Sequence, residues 1–178
     1  SVDSVNLLTD GGIPEDCSLL ILNAPTEDLA DDELEMILTY LEEGGQVIYN
    51  MAGALLDLPN CDALCAAYGM NVADGLIADT SRYYQNIPYL FFPLIDPSVD
   101  AASGLPDDAM VLVLSSRGFT LTDPARDTIT VQSFLTTSEN GFAVVDEETQ
   151  TQGTYVVGAV ATEETDGGDT ARLTVYGS

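Results

Sequence analysis

The side chains able to do acid–base work in this chain are nearly all carboxylates. Thirty Asp and Glu residues stand against four arginines, with no lysine and no histidine. Paired carboxylates hydrolyse glycosides or peptides when their surroundings push the two pKa values apart. The missing histidine removes the Ser-His and Cys-His nucleophile pairs and the imidazole metal ligand. The missing lysine removes the Schiff base and the Walker-type phosphate lysine. Two classes remain: a carboxylate-dependent hydrolase acting on glycans or peptides, or a domain that does no chemistry.

The individual motifs favour the second class. "LIADTS" (76–81) approaches the aspartic-protease signature, but Ser81 stands where that signature needs glycine. It reads instead as a strand ending in an Asp/Thr/Ser turn. Ser115 and Ser116 in "LSSRGF" follow an apolar run, yet they lack the Gly-x-Ser-x-Gly elbow and its histidine. "TDGGD" (165–169) sets carboxylates around a glycine turn without the spaced oxygen ligands of a calcium loop, so it reads as a solvated hairpin tip. Of the four arginines (Arg82, Arg117, Arg126 and Arg172), Arg82 beside two tyrosines and Arg117 after an apolar run have the setting and the fork geometry to hold a carboxylate or phosphate. In so acidic a chain each is expected to find a carboxylate of its own. Cys17, Cys61 and Cys65 are too few for a disulfide framework. Cys61 and Cys65 lie four apart on an expected helix and read as buried free thiols. No catalytic residue, metal site or cofactor is expected.

Composition sets the outer bounds. The 178 residues are one domain's worth, and an apolar fraction of 46% with mean hydropathy +0.13 provides a real core. A formal charge of −26 repels phosphate backbones and anionic bilayers, so neither nucleic-acid binding nor direct membrane docking is expected. No stretch has the length and apolarity of a membrane span, and the first residues carry no charged-then-apolar leader.

The first half alternates strand and helix. Short strands are expected at 4–9 and 18–24. A helix follows over 31–43, where Leu34, Ile37, Leu38 and Leu41 form one apolar stripe. Asp31, Asp32 and Glu33 suit its positive end, and Gly44 supplies the stop. With a strand at 46–51, the spacing predicts a right-handed βαβ unit with parallel strands. A shorter helix is expected over 59–68 and a strand at 75–79. Residues 80–109 read as an ordered, extended, aromatic excursion punctuated by prolines. Strands at 110–116, 129–137, 154–164 and 171–177 make the second half strand-rich. The fold class is α/β: a mixed sheet with a parallel start, flanked by helices, in a single domain. Beyond the carboxyl ends of the first two strands, the crevice of such a sheet is expected to carry Asn23, Pro25 and Thr26, then Asn50 and Met51. The segment with Arg82, Tyr83 and Tyr84 is long enough to fold over it, either as a binding element or as a plug.

The ordered segments "GGIPEDCSLLILNAPTEDLADDELEMILTYLEEGGQVIYNM", "LCAAYGMNVADGLIAD" and "ARLTVYGS" resemble the auxiliary component of ABC-type transport systems, the GldG-like family associated with gliding motility. The likeness covers roughly residues 5–95 well and 110–178 loosely, and it lies in the order and spacing of short motifs. Ala30 stands where the family has a helix-capping hydroxyl, and Thr26 where it has a basic residue. The resemblance implies a sheet of the glutamine-amidotransferase (flavodoxin-like) type without the catalytic Cys-His pair. It further implies a non-catalytic domain on the extracytoplasmic side of the cell membrane, part of a larger membrane-anchored subunit. Its partners would be other subunits of the transport system, or a ligand.

Overall fold

Strand β1 (Leu20–Asn23), helix α1 (Asp31–Glu42) and strand β2 (Gln46–Asn50) form the expected crossover, with β1 and β2 parallel and Leu20 opposite Val47. The coordinates are a computed structural model describing residues 2–106 and 108–178. Three acidic residues open α1, and the Glu33 carboxylate reaches back to accept from the Ala30 N–H at 2.9 Å. The chain leaves through Gly44 at φ 97°, whose N–H donates to the Leu41 carbonyl at 2.9 Å. The buried stripe centres on Ile37 and Leu41, while Leu34 and Leu38 pack at its margins.

Helix α2 (Pro59–Ala67) begins with proline in its first turn. Its free amides are capped from a distance: the Asp28 carboxylate accepts from the N–H groups of Asn60 (2.9 Å) and Cys61 (3.0 Å). The Asn60 side chain donates to the Leu29 carbonyl and to Asp31, which ties the starts of the two helices together.

The rest of the chain is mostly strand. It comprises β3 (Met70–Val72), β4 (Leu76–Asp79), β5 (Tyr83–Tyr84), β6 (Ile87–Phe91), β7 (Leu94–Ile95), β8 (Val113–Leu114) and β9 (Phe119–Leu121). Then come β10 (Ile129–Thr136), β11 (Gly141–Val144), β12 (Gln150–Gly153), β13 (Val156–Glu164) and β14 (Thr170–Tyr176). The main sheet has eight strands along the path β1-β2-β14-β13-β10-β7, with β9 pairing β13 and β3 pairing β9. The last strand, β14, returns to lie parallel to β2, with Tyr176 opposite Asn50, while β13 and β10 run antiparallel. "TDGGD" is the β13–β14 hairpin, closed from the Thr165 N–H to the Asp169 carbonyl at 2.9 Å.

Alternation along the long strands separates two cores. On one face Val47, Tyr49, Ala159, Ala161, Leu173 and Val175 meet Ile37, Leu41, Leu64 and Cys65 of the two helices. On the other, Val157 and Val160 meet Phe91, Val99, Ala102, Val113 and Phe134, with no helical residue in that cluster. The helices therefore pack on one face of the sheet. The opposite face is covered by side chains of the excursion and its flanks, among them Ile77, Phe91, Val99, Ala102 and Val113.

Several segments differ from expectation, and of the strand expected at 110–116 only Val113–Leu114 (β8) forms. Residues 7–10 form a turn rather than a strand: Asn6 and Asp10 side chains bond the backbone N–H groups of Thr9 and Asn6. That local alternative competes with sheet pairing. The excursion holds three short strands, β5, β6 and β7. Gln85 (φ 53°) and Asn86 (φ 61°) both adopt left-handed backbone between Tyr84 and Ile87, the geometry of a type I′ hairpin turn. Among the described residues no helix is long and apolar enough to cross a membrane.

Candidate functional site

Parallel register brings the first group of expected site residues together. Asn23 pairs with Asn50, and the Asn50 amide donates to the Asn23 side-chain oxygen at 3.0 Å. The Ala24 N–H donates to the Asn50 carbonyl at 2.8 Å, and Ala24 holds φ 48°, a left-handed conformation that a Cβ disfavours. Asn23 and Thr26 face solvent, and Pro25 is half-buried. Met51 is not on the crevice wall. It is 2% exposed, its side chain belongs to the core, and its N–H donates to the Tyr176 carbonyl.

Arg82, Tyr83 and Tyr84 lie elsewhere. Tyr83 and Tyr84 are on β5, the outer strand of a small antiparallel sheet in the order β5-β6-β8. The Arg82 Nε donates to the Phe92 carbonyl at 2.7 Å, and Tyr84 meets the Phe92 ring edge-on at 5.9 Å. Both tyrosines stay open to solvent, at 43% and 44% exposure, and Ile87 and Leu114 beside them are exposed as well. It is the exit of β8 that reaches the crevice. A Cβ on Gly53 would stand 2.9 Å from the Ser115 carbonyl oxygen, so the loop after β2 packs directly on this backbone. Ser115 is left-handed too, at φ 51°. Ser116 is buried, with its hydroxyl donating to the Arg117 carbonyl at 2.7 Å.

Groups that looked chemically able are engaged in holding the fold. Asp79, fully buried, accepts from the N–H groups of Ser81 (2.8 Å) and Arg82 (3.0 Å) and from the Ser138 hydroxyl (2.9 Å). Its second oxygen accepts from the Ser138 N–H at 2.7 Å. The carboxylate of "LIADTS" thus ties two turns together. Cys61 and Cys65 are buried free thiols, and Cys17 is half-buried. Burial pushes Cys61 up to about 11 and Cys65 in the same direction, which leaves little thiolate for nucleophilic attack.

The arginines divide. Arg126 grips Glu163 with two bonds (2.9 and 2.7 Å), reaches Glu42 at 2.9 Å and the Tyr68 hydroxyl at 3.2 Å, and lies over the Tyr68 ring. Thr128 donates to the same Glu163 carboxylate. Arg172 faces Asp100 at 3.8 Å. Among the described residues no carboxylate lies at ion-pair distance from Arg117, although it is only 8% exposed. The sequence marks Arg117, like Arg82, as able to hold a carboxylate or phosphate, with a structural carboxylate partner expected for each, and nothing in its local sequence signals this isolation.

Two surface recesses lie away from the crevice. One, of about 490 Å³, separates Gly11–Ile13 from the outer face of α1. The other, of about 680 Å³, is lined by Thr128, Thr130, Gln132, Thr162 and Arg172 of the sheet, with Asp100 of the excursion beside them. Of the carboxylates in the second, Asp100 faces Arg172 and Glu163 is held by Arg126.

These features define a sheet-rich, mixed α/β domain with two helices among the described residues. No protein-family model matches the chain, and no curated protein matches it. Solved structures do share its fold. The mmIFT52 N-terminal domain aligns with TM-score 0.60 and 17% identity, over 90% of this chain and 65% of that one. A ThuA-like protein from Bacteroides uniformis aligns with TM-score 0.50 and 12% identity, over 90% of this chain and 59% of that one. The chain therefore spans about three-fifths of the length of the structures it matches. At such identities the likeness is one of fold alone.

Proposed function

We propose that this domain is a non-catalytic binding module: the extracytoplasmic part of a GldG-like auxiliary subunit of an ABC-type transport system. Its role there is to dock other subunits of that system. The observation that carries the reading is the exposed apolar hairpin. Tyr83, Tyr84 and Ile87, with Leu114 on the neighbouring strand, are exposed together on a I′-turned element. Exposed aromatic clusters of this kind are the usual anchors of protein interfaces. Two further observations support it: Asp79 and the buried cysteines are engaged in the fold, and the ThuA-like neighbour is consistent with a glutamine-amidotransferase-like layering. One of the structural neighbours is itself described as the N-terminal domain of its protein, in keeping with a module that serves within a larger chain.

The test is capture of the purified permease and ATPase subunits of the same transport system by this domain. Tyr84→Ala should abolish capture and leave the Tm unchanged, since the ring is 44% exposed. Absence of capture by the unmodified domain refutes the reading. So does turnover of a glycoside or peptide that a single Asp→Asn change abolishes, which would install a hydrolase instead.

A further inference from the structure

Strands β1, β2 and β14 run parallel to one another, and parallel strands are normally covered on both faces. Along β1 and β2 only one face is covered. Leu20, Leu22, Val47 and Tyr49 join the core shared with the helices, and Val5, Leu7 and Ile13 of the N-terminal segment pack there too. Alternation turns Ile21 and Ile48 to the other face, and the parallel register sets them side by side. Neither residue belongs to either core. Ile21 is 52% exposed and Ile48 is half-buried, while Leu19, two residues before Ile21, is 45% exposed.

The cover that the excursion gives this face stops at β14. There Tyr176 meets Phe134 edge-on at 5.6 Å, and Asp100 lies 3.8 Å from Arg172, the residue opposite Gln46. What remains is a shelf two strands wide, about 10 Å, and about 17 Å long over the five residues of β2. Its far side is an open edge, since β1 pairs with β2 alone among the described strands. Polar groups at the two ends are already satisfied: Asn50 donates to Asn23, and the Gln46 amide donates to the Thr170 carbonyl at 2.7 Å. The apolar middle is left to water. An α-helix has the width of this shelf, and about eleven residues of helix span its length.

Charge selects the kind of helix. Exposed Glu15 and Asp16 precede β1 and exposed Glu27 follows it, in a domain of formal charge −26. A second copy of the chain brings the same negative excess to the contact, whereas a helix rich in Lys and Arg beside its apolar stripe brings the complement. We propose that the β1–β2 shelf is the docking surface for a basic amphipathic helix of a partner protein, whose apolar stripe seats on Ile21 and Ile48. The shelf lies apart from the β5–β6 hairpin and is tested independently of subunit docking there.

The experiment is calorimetric titration of the domain with three synthetic peptides of about 14 residues, long enough for helix formation on a surface. One carries leucines at helical spacing and lysines elsewhere, the second has the same composition in strict alternation, and the third replaces the lysines of the first with glutamates. At about 0.15 M salt, which screens distant charges, the helical leucine–lysine peptide should bind saturably with a Kd of about 10 μM or tighter. The glutamate peptide should not bind. Ile21→Ser removes half the burial of one isoleucine and should weaken the helical peptide about fivefold with the Tm unchanged. Ile48→Ser should weaken it comparably, and Val145→Ser, at an exposed apolar position elsewhere, should leave it unaltered. Ile21→Ser, at the more exposed site, keeps the test decisive if Ile48→Ser lowers the Tm. Lack of saturable binding by the helical peptide, or an affinity unchanged in Ile21→Ser, overturns the proposal. So does tighter binding of the alternating peptide, which would make the β1 edge a place of strand addition. A dimer in sedimentation that Ile21→Ser dissociates would put a second copy on the shelf and overturn it as well.

Discussion

Replacing Arg126 by methionine tests how far one cation supports the sheet. Glu163 on β13 is 8% exposed at its side chain, and Arg126 is 34% exposed. The substitution leaves a nearly buried carboxylate with only Thr128 donating to it, and takes the Tyr68 hydroxyl's cation partner as well. Stranding one member of a buried pair costs about 3–5 kcal/mol, and solvent at the arginine end reduces that to about 2–3 kcal/mol. The contact with Glu42, 54% exposed, adds little. For a domain of this size each kcal/mol moves the Tm by roughly 2–4 °C, so a fall of about 4–12 °C is expected near neutral pH. The pH dependence is the sharper readout. Arg126 beside Glu163 holds its carboxyl below the usual range, so the unfolded chain takes up the proton first as pH falls. The stability from the pair is therefore complete above the unfolded carboxyl pKa of about 4.3 and is lost in more acid solution. In Arg126→Met burial is left to raise the same carboxyl, the sign reverses, and the variant gains stability as pH falls through the raised pKa. Thermal melts of both proteins across the acid range should show the gap narrowing steadily. Adding Glu163→Gln should recover about 1–2 kcal/mol by removing the stranded charge. A gap that widens in acid, or a double variant no more stable than the single one, refutes the reasoning.

Leu41→Asp should destabilise by about 3 kcal/mol or more, because Leu41 is fully buried at the centre of the α1 stripe; Leu38→Asp, at the margin, should cost distinctly less in the same urea titration. Asp79→Asn should lower stability by about 1–3 kcal/mol, since an amide NH₂ must oppose one of the donors that the carboxylate now accepts, and an unchanged urea midpoint would contradict that role.

The readable parts of the fold are those whose pattern repeats. The α1 stripe and the spacing of β1 and β2 define a parallel crossover, and β10, β13 and β14 are long enough for their apolar runs to identify them. Strands β3, β9, β11 and β12 are three or four residues each, and "QTQG" of β12 has no apolar residue at all. Such strands exist because a partner is already in place, as β11 is for β12, and no local pattern marks that. The Asn23–Asn50 contact follows from the parallel register. The place of Arg82–Tyr84 does not, because Gln85–Asn86 makes a I′ turn without glycine and folds the aromatic segment back on itself as a hairpin. The isolation of Arg117 depends on where three separate strand exits meet.

A chain with four cations and thirty acids must find donors for its carboxylates in the backbone. Asp28 is an example: burial raises its carboxyl, and the N–H groups of Asn60 and Cys61 outweigh that and lower it. The Ser98 hydroxyl and N–H lower Asp96, and the N–H groups of Thr149 and Glu148 lower Asp146. Each of these groups supports the fold above the carboxylate range and ceases to do so as pH falls through its depressed pKa. A carboxylate committed to capping a helix or closing a turn is a poor general base, because taking up a proton costs it the bonds that hold the turn. Asp62 is of the opposite kind. Its carboxyl is raised, and it stands half-buried within reach of Arg117 without touching it, so its protonation gains stability as pH falls toward the raised pKa. The acids of this domain are thus divided between those committed to the fold, such as Asp28 and Asp79, and Asp62, whose carboxyl burial raises.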